Sequence, residues 1–162
     1  MIRRTNNPAT PLIISLIVLL SSCGRDIVFT DSVAMPENTW SLSEIAEFNV
    51  PVTDSLNSTD VVFTIRTGSD FPFGNIFLFV TTTSPDGNII TDTLEYKLAD
   101  SKGNWYGKGS GDIHELDLPY KTNVFFPGKG IYNFKIQHGM RTVNLKGVYD
   151  FGLTIEKFTG KE

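Results

Sequence analysis

Apolar residues fall on alternate positions in one stretch of this chain after another, and that spacing admits strands and little else. Val61, Phe63 and Ile65 alternate with Val62, Thr64 and Arg66. Tyr132, Phe134 and Ile136 alternate with Asn133, Lys135 and Gln137, and Tyr149, Phe151, Leu153 and Ile155 stand against Asp150, Thr154 and Glu156. Successive side chains of a strand point to opposite faces, so each segment has one face for a core and one for water. Asn75 to Thr83 (NIFLFVTTT) is apolar on both faces, with Phe77 and Phe79 on one and Ile76, Leu78 and Val80 on the other. It is expected as a central strand covered on both sides, or one lying where two layers meet.

Turn chemistry separates these segments. In Ser84-Pro85-Asp86-Gly87, proline presets φ at the first corner and glycine takes the left-handed position, so 88–96 should return as a hairpin partner. Tyr120–Phe126 reads as a strand stopped by Pro127-Gly128-Lys129-Gly130, and 139–147 reads as a loop. Glycines at 103, 107, 109 and 111 make 99–115 a long connection in which a helix is disfavoured. Ile27-Val28-Phe29 could form a first edge strand. Trp40–Glu47 offers a turn or one helical turn before an extended Phe48–Val52. Seven or eight short strands with no long amphipathic helix make an all-β chain: a single antiparallel β-sandwich, immunoglobulin-like or jelly-roll-like, over 41–162.

The N-terminus has a different character. Arg3 and Arg4 precede an apolar run, Leu12–Leu20, and small residues follow it. This is the pattern of a secretory signal peptide. Nine residues of helix span roughly 14 Å, against the ~30 Å of a hydrocarbon core, so a permanent span is not expected. Leu20-Ser21-Ser22-Cys23 has the form of a bacterial lipobox, in which the cysteine thiol takes a diacylglyceryl group and becomes the first mature residue. That placement explains why Cys23 is the only cysteine. Two or more acyl chains, palmitate among them, anchor stably where one does not. The expected organisation is a cleaved lipoprotein signal peptide over 1–22, a lipidated tether and first edge strand over 23–40, and the sandwich beyond. With no second cysteine, packing alone must hold the fold.

Without Arg3 and Arg4 the chain has 12 basic and 18 acidic side chains. That balance is unsuited to nucleic acid, which needs a basic stripe. Gly107-Lys108-Gly109-Ser110-Gly111 lacks the spacing and the following helix of a phosphate loop. Asp112, His114 and Glu115 fall short of the three or four converging ligands a zinc site requires, and no metal or cofactor is expected. No Gly-x-Ser-x-Gly elbow marks a hydrolase, no catalytic residue is assigned, and an enzyme is not expected. The candidate partner or ligand surface is Trp105 and Tyr106 with Phe71 and Phe73. Aromatics on loops are either platforms for a sugar or protein partner or lids over the core edge, and lids are the commoner outcome.

Several blocks, taken in order, resemble the GldH family of gliding-motility lipoproteins from the Bacteroidetes. They are Phe71-Pro72-Phe73-Gly74-Asn75, Thr82-Thr83-Ser84-Pro85-Asp86-Gly87, Thr91-Asp92-Thr93-Leu94-Glu95 and Trp105-Tyr106-Gly107-Lys108-Gly109-Ser110-Gly111-Asp112-Ile113. Further on come Pro127-Gly128-Lys129-Gly130-Ile131-Tyr132-Asn133-Phe134, Met140-Arg141-Thr142 and Gly147-Val148-Tyr149-Asp150-Phe151-Gly152-Leu153. They run from about Phe29 to Lys157, and the lipobox fits as well. The resemblance implies a lipid-anchored cell-envelope component of the gliding-motility and type IX secretion-associated apparatus, structural or assembling rather than enzymatic. It implies partners among other envelope lipoproteins or motility and secretion subunits. It carries over no catalytic or cofactor residue. Surface lipoproteins of that phylum tend to carry an acidic signal after the cysteine. Gly24-Arg25-Asp26 has one acid and one base, so the periplasmic face of the outer membrane is expected. The alternative is an envelope module that binds glycan through its loop aromatics.

Overall fold

The computed structural model describes residues 25–53 and 55–160; Cys23 and the signal segment lie outside them. Eleven strands follow one another: β1 (Ile27–Ala34), β2 (Thr39–Ser41), β3 (Ala46–Val52), β4 (Thr59–Gly68), β5 (Asn75–Thr83), β6 (Ile89–Lys97), β7 (Lys108–Ser110), β8 (Ile113–Val124), β9 (Gly130–His138), β10 (Asn144–Lys146) and β11 (Val148–Lys157). One sheet has the order β1-β11-β4-β8-β7 and the other β3-β9-β5-β6, while β10 and β2 form a short two-stranded ribbon. All pairs are antiparallel. The sandwich expected from the alternating pattern is the fold.

The core lies between the two sheets. Phe63 and Ile65 of β4 face inward with Phe151, Leu153 and Ile155 of β11 and Leu118 of β8. They meet Ala46, Phe48, Val50 and Val52 of β3, Ile76, Leu78 and Val80 of β5, and Tyr132, Phe134 and Ile136 of β9. Trp40 and Leu145 are register partners in the β2–β10 ribbon and are both fully buried. The ribbon thereby closes the end of the sandwich opposite the N-terminus, here called the far end.

Five details depart from the sequence reading, each for a local physical reason. First, β5 is central between β9 and β6, but only one of its faces is covered: Phe77 and Phe79 are solvent-exposed. No layer lies on that side. Second, of the turn or helical turn expected over Trp40–Glu47 the structure has the turn, closed by the Glu44 N–H on the Ser41 carbonyl at 2.9 Å, but Trp40 and Ser41 before it are strand. Trp40 sits in β2 because its ring fills the core, and its Nε1–H donates to the Glu44 carbonyl at 2.8 Å across the turn that follows. Third, the glycine-rich run forms β7, paired to the first residues of β8. A Cβ at Gly107 would lie 2.3 Å from the Glu115 backbone oxygen, so glycine is what lets the two strands meet. Fourth, β8 starts at Ile113, well before Tyr120. Its early half sets Ile113, Leu116 and Leu118 among His114, Glu115 and Asp117 without strict alternation, and only Leu118 is fully buried. Fifth, a bulge between Val148 and Asp150 puts Val148 in the core and displaces Tyr149 from the inward position that strict alternation gives it.

These glycine contacts separate two substitutions that a sequence alone would treat alike. Gly107→Ala should cost about 1–3 kcal/mol through the clash with β8. Gly128→Ala, with nothing within 4 Å of its would-be Cβ, should stay within about 0.5 kcal/mol of the wild type. Urea unfolding of the two variants checks the difference.

Candidate functional site

The aromatic residues singled out in the sequence lie on two loops at the far end, where Phe71, Phe73 and Trp105 come together. The first, between β4 and β5, turns back as the Phe71 N–H donates to the Gly68 carbonyl at 3.1 Å, and the Gly68 N–H donates to Gly147 at 2.8 Å. Gly147 has φ +76°, and a Cβ there would lie 2.7 Å from the Phe71 nitrogen, so this crossing needs glycine. The second loop runs from β6 toward β7 and is organised by Asp100. Its carboxylate accepts from the backbone of Lys102 at 2.8 Å and Asn104 at 2.9 Å, and from the Asn104 amide at 2.8 Å. The Asn104 hydrogen bonds hold this carboxyl below its usual range. The Tyr106 N–H then donates to buried Leu98 at 2.9 Å, and Trp105 bridges to Ala99.

This frame lays Trp105 over the core edge. Its ring stacks on His114 with centroids 5.2 Å apart and planes 13° apart, and meets Phe71 edge-on at 6.0 Å. Phe71 is only 5% exposed and contacts Phe73 edge-on at 6.0 Å. Three of the four candidates are therefore one packed cluster. One face of Trp105 is taken by the imidazole, which leaves no open two-sided platform for a sugar ring. Tyr106 is 58% exposed and stands apart, beside Arg25, Lys108 and Leu116. His114 and Glu115 are successive residues of β8 and so face opposite sides of the sheet. Among the described residues no three His, Cys, Asp or Glu side chains gather as a metal-binding group.

A second surface escaped the sequence reading. On the open face of the β3-β9-β5-β6 sheet, Phe77 and Phe79 lie beside Phe73, Met140 and Gly139. A shallow cleft of about 540 Å³ is bounded by Phe73, Phe77, Gly139, Met140 and Arg141. A Cβ at Gly139 would sit 3.0 Å from the Phe79 ring, so the ring lies directly over the glycine. Leu42, Ile45 and Val143, all exposed, extend the apolar character around the far end. The Gln137 amide donates to the Leu42 carbonyl and fixes that loop against the sheet. The two-faced apolarity of 75–83 was the signal; it was read as burial, whereas one of its faces is open.

His138 also escaped notice. It continues the inward row of β9, is fully buried, and touches the edge of Trp40 with centroids 5.7 Å apart. Neither ring nitrogen makes a hydrogen bond; the Trp40 backbone lies near but outside bonding geometry. Burial therefore pushes its pKa below the ordinary imidazole value, with the Trp40 backbone opposing in part. Across the sandwich, the Tyr120 hydroxyl donates to Asp92 at 2.7 Å, and Lys121 reaches the same carboxylate at 3.0 Å. These contacts lower the Asp92 pKa, the Tyr120 bond most, while burial first and Asp92 second raise that of Tyr120.

Residues 27–155 match the GldH lipoprotein family. This chain belongs to that family. It is 35% identical over 153 residues to a gliding motility lipoprotein GldH homolog of Christiangramia forsetii, covering 90% of this chain and 93% of the relative. It is 34% identical over 147 residues to gliding motility lipoprotein GldH of Flavobacterium johnsoniae, covering 86% and 91%. Among solved structures, a GH115 4-O-methyl-α-glucuronidase aligns with 82% of this chain and 18% of its own, at TM-score 0.37 and 13% identity. A family 16 carbohydrate-binding module aligns with 82% and 86%, at TM-score 0.29 and 12% identity. Both are too distant to bear on what this GldH-family domain does.

Two measurements test these roles. Trp105→Ala should cost about 2–3 kcal/mol in urea unfolding, as a ring that seals the core, whereas Tyr106→Ala should stay within about 0.5 kcal/mol. His138 makes stability depend on pH. Its folded pKa lies below the unfolded value of about 6.5, so the unfolded chain binds the proton first as pH falls. Its contribution is complete above about pH 6.5, declines below it, and levels off once pH drops under the folded pKa. Thermal melts from about pH 7.5 to 5 should show Tm falling with acid, and His138→Leu should flatten that slope. The lowered carboxyl of Asp92 acts only at lower pH. That of Asp150, raised by burial, works in the opposite sense and is common to both proteins.

Proposed function

We propose that this protein is a lipid-anchored envelope component that acts by binding other proteins of a motility or secretion apparatus, without catalysis of its own. The observation that carries this reading is the GldH family match across the whole sandwich, joined to Leu20-Ser21-Ser22-Cys23 directly before it. Cys23 is the lipidated residue. No helix among the described residues is long and apolar enough to cross a membrane, so acylation is the means of attachment this reading requires. The relatives' names tie those proteins to gliding motility; the same process is proposed here, from the periplasmic face of the outer membrane.

The open aromatic face supports a binding role. Phe73, Phe77 and Phe79 present rings to solvent beside Met140, whose sulfur accepts from the Phe77 N–H at 3.4 Å; exposed rings are the chemistry from which protein interfaces are commonly built. The proposed partners are envelope lipoproteins or machine subunits.

Cys23→Ala should move the protein from the carbonate-washed membrane pellet to the soluble fraction; a variant that stays with the pellet overturns the anchor. Crosslinking and pulldown from native envelopes should recover defined partners. The double variant Phe77→Ser/Phe79→Ser should lose them while keeping its melting temperature. Unchanged recovery overturns the assignment of that face.

A further inference from the structure

The sandwich has a second apolar region at the end where the chain enters, away from the aromatic face. At this end β1, β4, β6 and β9 begin and β3, β5, β8 and β11 finish. Leu56, on the β3–β4 connection, is 85% exposed, and Phe125, on the β8–β9 connection, is 59% exposed. Val28, Ile89 and Ile131, at other strand ends on this side of the sandwich, are each more than half exposed. Large apolar side chains drawn from four connections or strand ends need an occupant, and the chain itself indicates which.

The tether is very short and is fixed to the domain. Arg25 pairs with Asp117 at 3.2 Å and with Glu156 at 3.8 Å. Asp26 pairs with Lys157 at 2.8 Å, and its carbonyl accepts from the Lys157 N–H at 2.9 Å. The chain is thus fixed to the domain from Arg25, two residues after Cys23 in sequence. A fully extended chain puts the Cys23 Cα no more than about 7 Å from that of Arg25. The polar layer of one leaflet is about 5–8 Å thick. With Cys23 acylated, the end of the domain has no room to stand clear of the headgroups.

Charge then decides which surface turns toward the lipid. The solvent face of the five-stranded sheet carries Asp31, Glu115, Asp117, Asp150 and Glu156 against Arg25, Arg66 and Lys108, and anionic bacterial lipid repels the net negative balance. The end with Leu56 and Phe125 offers apolar area instead, and exposed rings and aliphatic chains settle at the headgroup–acyl boundary. We infer that this end of the sandwich is a membrane-docking surface, with Phe125 and Leu56 dipping into the leaflet that holds the lipid on Cys23. The inference rests on the lipid-anchor reading. It adds a fixed orientation: the long axis of the strands stands off the membrane, and Phe79 and Phe77 of the aromatic face are held about 13 and 20 Å away, the rise along β5 from its end at Thr83.

The test uses the full lipidated protein in vesicles of phosphatidylethanolamine and phosphatidylglycerol. Because Cys23 is acylated, Leu56→Cys, Phe125→Cys and Val143→Cys each give a single reactive thiol for a nitroxide. All three sites are exposed, so the substitutions leave the core intact. Labels at 56 and 125 should collide with lipid-soluble oxygen several-fold more, relative to a water-soluble nickel chelate, than the far-end label at 143. If all three are equally nickel-accessible, or 143 is the protected one, docking by this end is overturned. A Cys23→Ala control, sedimented with the same vesicles after carbonate wash, separates the two readings. Its release, with 56 and 125 nickel-accessible in the lipidated protein, leaves the anchor standing and removes the docked end. Its retention removes the anchor, and with it the tether length on which docking rests.

Discussion

A line of ring contacts runs along the inner side of the larger sheet and ties it to the ribbon and, at its last hydroxyl, to the opposite sheet. Trp40 lies 5.0 Å from Phe151, Phe151 lies 5.4 Å from Phe63, and Phe63 stacks on Tyr120 at 5.0 Å. The line starts at the ribbon that closes the far end, passes through the two central strands of the larger sheet, and ends at a hydroxyl bonded to Asp92 of the opposite sheet. Burying each such ring contributes about 1.5–3 kcal/mol, and each well-placed pair about 0.5–1.5 more. No disulfide can share this load, because Cys23 is the only cysteine. Polar groups that enter the line adapt to it: His138 is kept neutral by burial, and Tyr120 holds its proton against Asp92.

The sheet framework was legible because alternation is a physical consequence of strand geometry. Where one face meets the core and the other meets water, as in β9, residue pattern and burial agree position by position. Legibility failed where alternation was broken or incomplete. The bulge at Val148 shifted one residue without leaving a mark in composition. β7 and β10, three residues each, are too short to show a period, and the pairing of β7 depends on close approach at glycines rather than on side chains. The early half of β8 hides because Ile113, Leu116 and Leu118 do not keep a strict period of two.

The aromatic loop residues show a different limit. Sequence placed Trp105, Tyr106, Phe71 and Phe73 on loops, and they are on loops; which of them face solvent is decided by contacts distant in sequence. His114 covers Trp105, and Gly147 lets Phe71 seat. The larger exposed surface belongs to Phe77 and Phe79, on a strand whose double apolarity is also what a buried strand would show. A strand with one face open to solvent and a strand facing a second layer can be written in the same residues.

The pairing of β1 with β11 gives the domain a mechanical character. The first strand runs antiparallel beside the last, in register from Phe29–Ile155 to Ala34–Asp150, with a bulge between Ile27 and Phe29. Tension entering from the N-terminal side pulls β1 along its own length. That is shear: the rungs of the ladder strain together, where a peeling force would break them one by one. A domain held to a moving surface at this point would resist being unravelled from its attachment.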